Sequence, residues 1–372
     1  MSTNPRIYLD FNATAPVGAR VRAAVTRALS DPGNPSSIHA EGRRARDHVE
    51  RARDQVARRM GRPREAVVFT SGGTEGNALG ILGLAAAAER RGLPKVVAST
   101  TVDHPSLGGA VAALVARGWR FAPIGVTGEG ALEPGDFTGV GVVAITAVNH
   151  ELGTIAGPVV VARARAAGAL VHVDAVQAAG KLDLAAIDAD ALVISAHKLG
   201  GLQGAGAIAI TVDEGLPLAS GGHQERGRRP GTENTLGIIG LGVAAEDADP
   251  ETWPHVAALG DRLEAGLARL PGVRIHGAGA PRVGGTINAG FEGARGESIV
   301  IALDLAGIAA STGAACTSGS IQPSPVLLGL GLGPDQALEA VRFSLGRTTT
   351  EEEIDVVLAR LPAVVERARA HR

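Results

Sequence analysis

The chain has 372 residues, enough for two packed domains, and its 45% hydrophobic and 20% charged residues are ordinary for a globular protein. A formal net charge of -2 leaves no electrostatic footprint for nucleic acid or an anionic membrane surface, and a single cysteine excludes an internal disulfide and any cysteine-rich metal site. No apolar run reaches the roughly 18 residues of a membrane-spanning helix, and residues 1–10 lack the basic and apolar regions of a signal peptide, so a reducing cytoplasm is the expected compartment.

In chain order, the Arg-rich stretch 43–64 carries interspersed Asp and Glu and reads as the solvated face of a helix. From about residue 66 to residue 212, apolar runs alternate with helical patterns. The runs 66–70, 95–99, 141–147, 169–174, 191–196 and 205–211 read as buried strands, and 77–91 and 106–117 as helices between them. That alternation predicts an α/β fold with a mostly parallel sheet under helices, where functional residues gather beyond the carboxyl ends of the strands. The Gly- and Arg-rich stretch 220–231 reads as an exposed loop, and 235–270 as a long helical segment with Pro254 as its break. From residue 271 the pattern shortens into a smaller α+β unit. It closes with a helix in which Thr350 and Glu353 form a capping box and Ile354, Val357, Leu358, Leu361, Val364 and Val365 form one apolar stripe.

Only three lysines are present, Lys95, Lys181 and Lys198, so chemistry that needs a primary amine has few candidates. Asp174 ends one strand-like run and Lys198 follows another. If both strands lie in the sheet, an amine and a carboxylate emerge at one edge, as a pyridoxal ring requires: the amine at its aldehyde carbon, the acid keeping the opposite ring nitrogen protonated. The plain alternative is a surface lysine and a turn-capping aspartate. The turn from Ser71 through Gly72, Gly73 and Thr74 joins a strand to a helix and suits a phosphate, or equally an ordinary helix start capped by Thr74. No Lys-Ser or Lys-Thr follows, so it is not a nucleotide P-loop, and no Gly-x-Gly pattern opens a helix after a strand as a dinucleotide site would. His104 and His197 are placed to stack on a ring or to shuttle protons, or are structural. No metal-binding spacing is present. Cys316 lies among Gly, Ser and Thr, the composition of a loop on which a thiol can react, although a lone cysteine is also a common small core residue.

Several segments together resemble the cysteine desulfurases, within the class V aminotransferase branch of the pyridoxal-phosphate (PLP) enzymes. Those segments are Tyr8 to Thr14, Gly33 to His39, Thr70 to Glu75, Val148 to Gly153, Val173 to Gln177, Ser195 to Lys198, Arg229 to Thr232 and Arg342 to Arg347. The resemblance spans nearly the whole chain, and the Ser/Thr-rich loop around Cys316 is similar to that of the group supplying sulfur for iron–sulfur clusters. It implies the PLP-dependent transferase fold type I: a large domain over 14–250 with a mostly parallel seven-stranded sheet, and a small α+β domain from 1–13 and 251–372 that carries the cysteine loop. Lys198 would be the Schiff-base lysine and proton shuttle, Asp174 the partner of the pyridine nitrogen, His104 the stacking histidine and Gln177 the partner of the ring hydroxyl. Gly73, Thr74, Ser195 and His197 would bind the phosphate, with Thr232 arriving from the other subunit of a homodimer. Asn149 and Arg342 would hold the substrate carboxylate.

The implied reaction turns L-cysteine into L-alanine, with the sulfur taken as a persulfide on Cys316 and passed to an acceptor protein, an iron–sulfur scaffold or a thiocarrier. Leu202-Gln203, Pro230, Thr312 and Ala314 depart from the common family pattern, and none of them removes a proposed catalytic group. The competing readings are a related PLP enzyme, such as a selenocysteine lyase or an aminotransferase in which Cys316 is incidental, and a non-catalytic scaffold of the same fold.

Overall fold

Uninterrupted apolar runs form the spine of the molecule. Val142–Thr146, Leu170–Asp174, Ala191–Ser195 and Gly206–Ile210 are buried along their whole length, as strands covered on both faces must be. In a computed structural model that describes residues 6–212, 221–313 and 322–370, they join Val67–Thr70, Val96–Ser99 and Arg120–Pro123 in one seven-stranded sheet. Gly206–Ile210 lies between Val67–Thr70 and Ala191–Ser195 and runs antiparallel to both; every other pairing is parallel. All six anticipated strands are present. Arg120–Pro123 was not anticipated, because this edge strand is exposed or half-buried and ends in proline, so no apolar run marks it.

Successive residues of a strand point to opposite faces and feed different cores. Leu192 and Ile194 pack with the helices Ala40–Met60 and Thr235–Asp247, whereas Ala191 and Val193 pack with Gly73–Arg90 and Pro105–Val115. A separate core joins Ile7 and Leu9 to the helices Trp253–Leu267 and Glu351–Ala370 around an antiparallel three-stranded sheet. The capping box at the last helix is formed in both directions, with Thr350 N donating to Glu353 Oε2 at 3.0 Å and Glu353 N to Thr350 Oγ1 at 3.3 Å. Among the described residues, no helix is long and apolar enough to cross a membrane.

Two sequence expectations need correcting. The segment 235–270 is two helices, and Pro254 stands in the first turn of the second, where its missing N–H has no intrahelical partner to lose; the break falls at residues 248–252. The described part of the stretch, 221–231, is not simply an exposed loop, nor is 43–64 simply a solvated helix face. Glu225 is buried and receives Arg53 Nη1 and Nη2, each at 2.8 Å, in a bidentate pair that is itself shielded from water.

Candidate active site

The parallel register aligns the strand ends. Thr146 faces Asp174 across one ladder and Asp174 faces Val193 across the next, so the segments that leave these strands converge at one edge of the sheet. Beyond that edge lies a cavity of about 550 Å³. Gly73, Thr74, His104, Asp174, Gln177, Ser195, His197, Lys198 and Arg342 all line it, as the sequence leads one to expect. The helix Gly73–Arg90 points its first turn into the cavity, and its leading amides have no intrahelical acceptor. A Cβ at residue 73 would come within 2.9 Å of Val176 Cγ2, so any larger residue there would have to displace that side chain.

Lys198 sits in the 3-10 turn Ala196–Lys198 and donates to the carbonyl oxygens of Asn12 and Ala13, the latter at 2.8 Å. Burial, aided by the charge on Arg342, lowers its pKa to about 8, against the pull of Asp10 and Asp174. Burial pushes the Asp174 carboxyl up, opposed by hydrogen bonds from Val176 N and Asn77 Nδ2 and by the Lys198 charge. His104 caps the helix Pro105–Val115: its Nδ1 accepts from Ser106 N at 3.2 Å, which leaves the proton of the neutral ring on Nε2. Burial and the Lys198 charge both lower its pKa. The same causes take His197 to about 4.

Arg342 is aimed by two contacts, an ion pair from Nη2 to Asp10 Oδ1 at 2.8 Å and a hydrogen bond from Nη1 to His150 O at 3.1 Å, while its buried Nε has no partner among the described residues. Asn149, expected beside Arg342, does not line the cavity. Its Nδ2 donates to Val102 O and its Oδ1 accepts from the backbone of Glu151 and Leu152, so it builds the turn that presents His150 and Glu151 to the cavity instead. Thr232 is exposed and lies outside this cavity. Cys316 lies outside the described residues.

Sequence reasoning assigned no role to Asn12, Asn77, His150 or Glu151, all of which line the cavity. His150 sets its ring edge-on to His104 with centroids 5.4 Å apart, and burial takes its pKa to about 3. Burial raises the Glu151 carboxyl, which accepts from Ser324 Oγ at 2.7 Å. Asn12, His150 and Glu151 fall inside motifs already singled out, so the available signal was adjacency to those motifs. Asn77 carried a weaker signal: a polar residue one turn into an apolar helix.

Residues 7–357 match the model of the Aminotransferase class-V family. The chain is 42% identical to "Cysteine desulfurase 2" of Trichormus variabilis, over 98% of this chain and 94% of that one. It is 39% identical to "Cysteine desulfurase NifS" of Azotobacter vinelandii, over 98% and 93%. Among solved structures it is similar to a NifS-like protein at a TM-score of 0.87 and 31% identity, covering 97% of this chain and 99% of the other. A similar match is DndA from Streptomyces lividans, at a TM-score of 0.74 and 32% identity, covering 89% and 97%.

Proposed function

The chain belongs to the class-V aminotransferase family, and from that premise we infer that it is a pyridoxal-phosphate-dependent cysteine desulfurase, which converts L-cysteine to L-alanine and passes the sulfur on. The observation that carries this reading is the gathering of Lys198, Asp174 and the start of the helix Gly73–Arg90 around one cavity.

The residues present fit pyridoxal 5'-phosphate. Gly73, Thr74, Ser195 and His197 would hold its phosphate at a helix N-terminus, where free amides and the helix dipole favour an anion. Lys198 would hold its aldehyde carbon, Asp174 its ring nitrogen and Gln177 its ring hydroxyl, with the His104 ring stacked on it. When bound, the cofactor supplies an electron sink for the carbanion formed next to the substrate amine.

The protein's own groups then have definable tasks. Arg342, already aimed by Asp10 and His150, binds the substrate carboxylate. A lysine with a pKa of about 8 is partly free amine at neutral pH, so Lys198 can take the α-proton and return it elsewhere. The Cys316 thiolate attacks the substrate sulfur; the bond from that sulfur to Cβ breaks with its electron pair left on carbon, and protonation of that carbon gives alanine while Cys316 keeps the sulfur as a persulfide.

The core that joins Ile7 and Leu9 to the chain beyond residue 250, separate from the two on the faces of the seven-stranded sheet, supports a division into a cofactor-binding unit over 14–250 and a smaller unit that brings the N-terminal strand together with the chain beyond residue 250. The family resemblance implies a homodimer in which Thr232 of the partner subunit completes the phosphate site, and the exposed position of Thr232 in this chain is compatible with that. The sulfur would go to an acceptor protein in the cytoplasm, an iron–sulfur scaffold or a thiocarrier.

The test is mass spectrometry of the purified protein after exposure to L-cysteine. One added sulfur on the Cys316 peptide with alanine formed is the expected result. Unchanged sulfide release by Cys316→Ser would refute the persulfide step, and retention of the visible cofactor band by Lys198→Ala would refute the assignment of the amine.

A further inference from the structure

Besides Lys198, one other lysine stands close by, behind the cavity residues Asn12 and Gln177, and the reaction described above does not use it. Lys181 Nζ lies 3.2 Å from Gln177 Oε1 and 3.2 Å from Asn12 Oδ1, and 5.1 Å from the centre of the Trp253 ring. Among the described residues no carboxylate stands within ion-pair distance of it. The nearby charges are of its own sign: burial, then Lys198, Arg342 and Arg347, take its pKa to about 7. Keeping an amine here without a counter-ion is unfavourable, and its two hydrogen bonds indicate what it does.

As an ammonium Lys181 offers donors only, and as the neutral amine it still has two N–H groups for the two oxygens it meets, so each amide that faces it turns its oxygen toward it and its nitrogen away. For Asn12 this sends Nδ2 to His150 O at 3.1 Å and Thr286 Oγ1 at 3.0 Å. For Gln177, which lines the cavity, it sends Nε2 to the backbone carbonyl of Asn12 at 2.9 Å. The same Asn12 carbonyl accepts from Lys198 Nζ. If the Gln177 amide reversed, its oxygen would face the backbone carbonyl oxygen of Asn12, and if the Asn12 amide reversed, its oxygen would face the carbonyl oxygen of His150.

We propose that Lys181 is a positioning residue that fixes the orientation of the Gln177 amide, with the Asn12 side-chain amide held beside it, so that Gln177 presents N–H to the ring hydroxyl of the cofactor. This rests on the reading of the cavity as a pyridoxal phosphate site.

The experiment is equilibrium titration of the cofactor-free protein with pyridoxal 5'-phosphate, followed by visible absorbance, in a cycle of Lys181→Met, Gln177→Ala and the double variant. With Gln177 in place, Lys181→Met weakens binding roughly tenfold, the effect of about one hydrogen bond. In the Gln177→Ala background the same change moves binding by less than about twofold. Lys181→Arg, also a donor only, stays near the parent. Equal losses in both backgrounds would overturn the proposal, because a residue that merely packs against Trp253 acts independently of Gln177. Should Lys181→Met fail to fold, Lys181→Gln, which can present either a donor or an acceptor, carries the same cycle. If the parent protein takes up no pyridoxal phosphate, the reading of the cavity fails and this inference fails with it; uptake with an additive cycle refutes the role of Lys181 alone.

Discussion

Asn77 donates from Nδ2 to Asp174 Oδ2 at 2.7 Å, and the same nitrogen reaches Ser106 Oγ at 2.9 Å while Oδ1 faces His172 Nε2 at 3.0 Å. Ser106 Oγ is in turn 2.8 Å from His104 Nδ1, so one buried amide connects the acid deep in the cavity to the histidine at its wall. Asn77→Ala takes a donor from Asp174 and leaves the fully buried His172 without that partner, and stability is expected to fall by about 2 kcal/mol in urea unfolding. Loss of a donor to the Asp174 carboxylate also favours its protonated form, so cofactor affinity should drop about tenfold in the same variant.

Arg53 and Glu225 present a different test, since neither touches the cavity. Their side chains are only 5% and 2% exposed, so removing one partner strands a charge in the core. Glu225→Ala is expected to lower unfolding free energy by about 3–5 kcal/mol, whereas Arg53→Met with Glu225→Leu should recover most of the loss. Chemical denaturation of the three proteins checks both statements.

Arg342→Lys keeps the charge and loses the planar fork. A lysine cannot bond Asp10 and His150 while also offering a paired contact to a carboxylate. KM for L-cysteine should rise roughly tenfold with a smaller change in kcat, as expected for lost ground-state binding, and steady-state kinetics measures it.

The two depressed amines give the cofactor-free protein a stability that depends on pH. Lys181 and Lys198 titrate at about 7 and about 8 in the folded state, against 10.5 for an exposed lysine. Below about pH 7 both states hold these protons, and burying the charges opposes folding. Between about pH 7 and about 10.5 the unfolded chain holds protons that the folded chain has released, so stability rises with pH across that window. Melting temperatures at pH 7 and pH 9 should show the increase, and Lys181→Met combined with Lys198→Ala should flatten it; an equal increase in that variant would refute the assignment.

Much of this was legible in the sequence for a simple reason. A strand buried on both faces must be apolar throughout, so 142–146, 170–174 and 191–195 mark themselves, and the polar residues that end them fall at the sheet's edge. On that basis Lys198 and Asp174 could be set at one edge of the sheet, and the family motifs were needed to choose a cofactor pair over a surface lysine and a turn-capping aspartate. Arg120–Pro123 could not be found, since an exposed edge strand has no such pattern.

By itself, then, the sequence determined the run of buried strands, the amine and acid at their ends, and the motifs that name a family. Tertiary structure alone decided which polar groups meet: Lys181 with Gln177 and Asn12, Asn77 with Asp174, Arg53 with Glu225 across 172 residues of chain. Apolar burial leaves a periodic trace along the chain because it depends on which face a residue occupies. A hydrogen bond or ion pair depends on a distance of about 3 Å between side chains far apart in sequence, and only the folded backbone sets that distance.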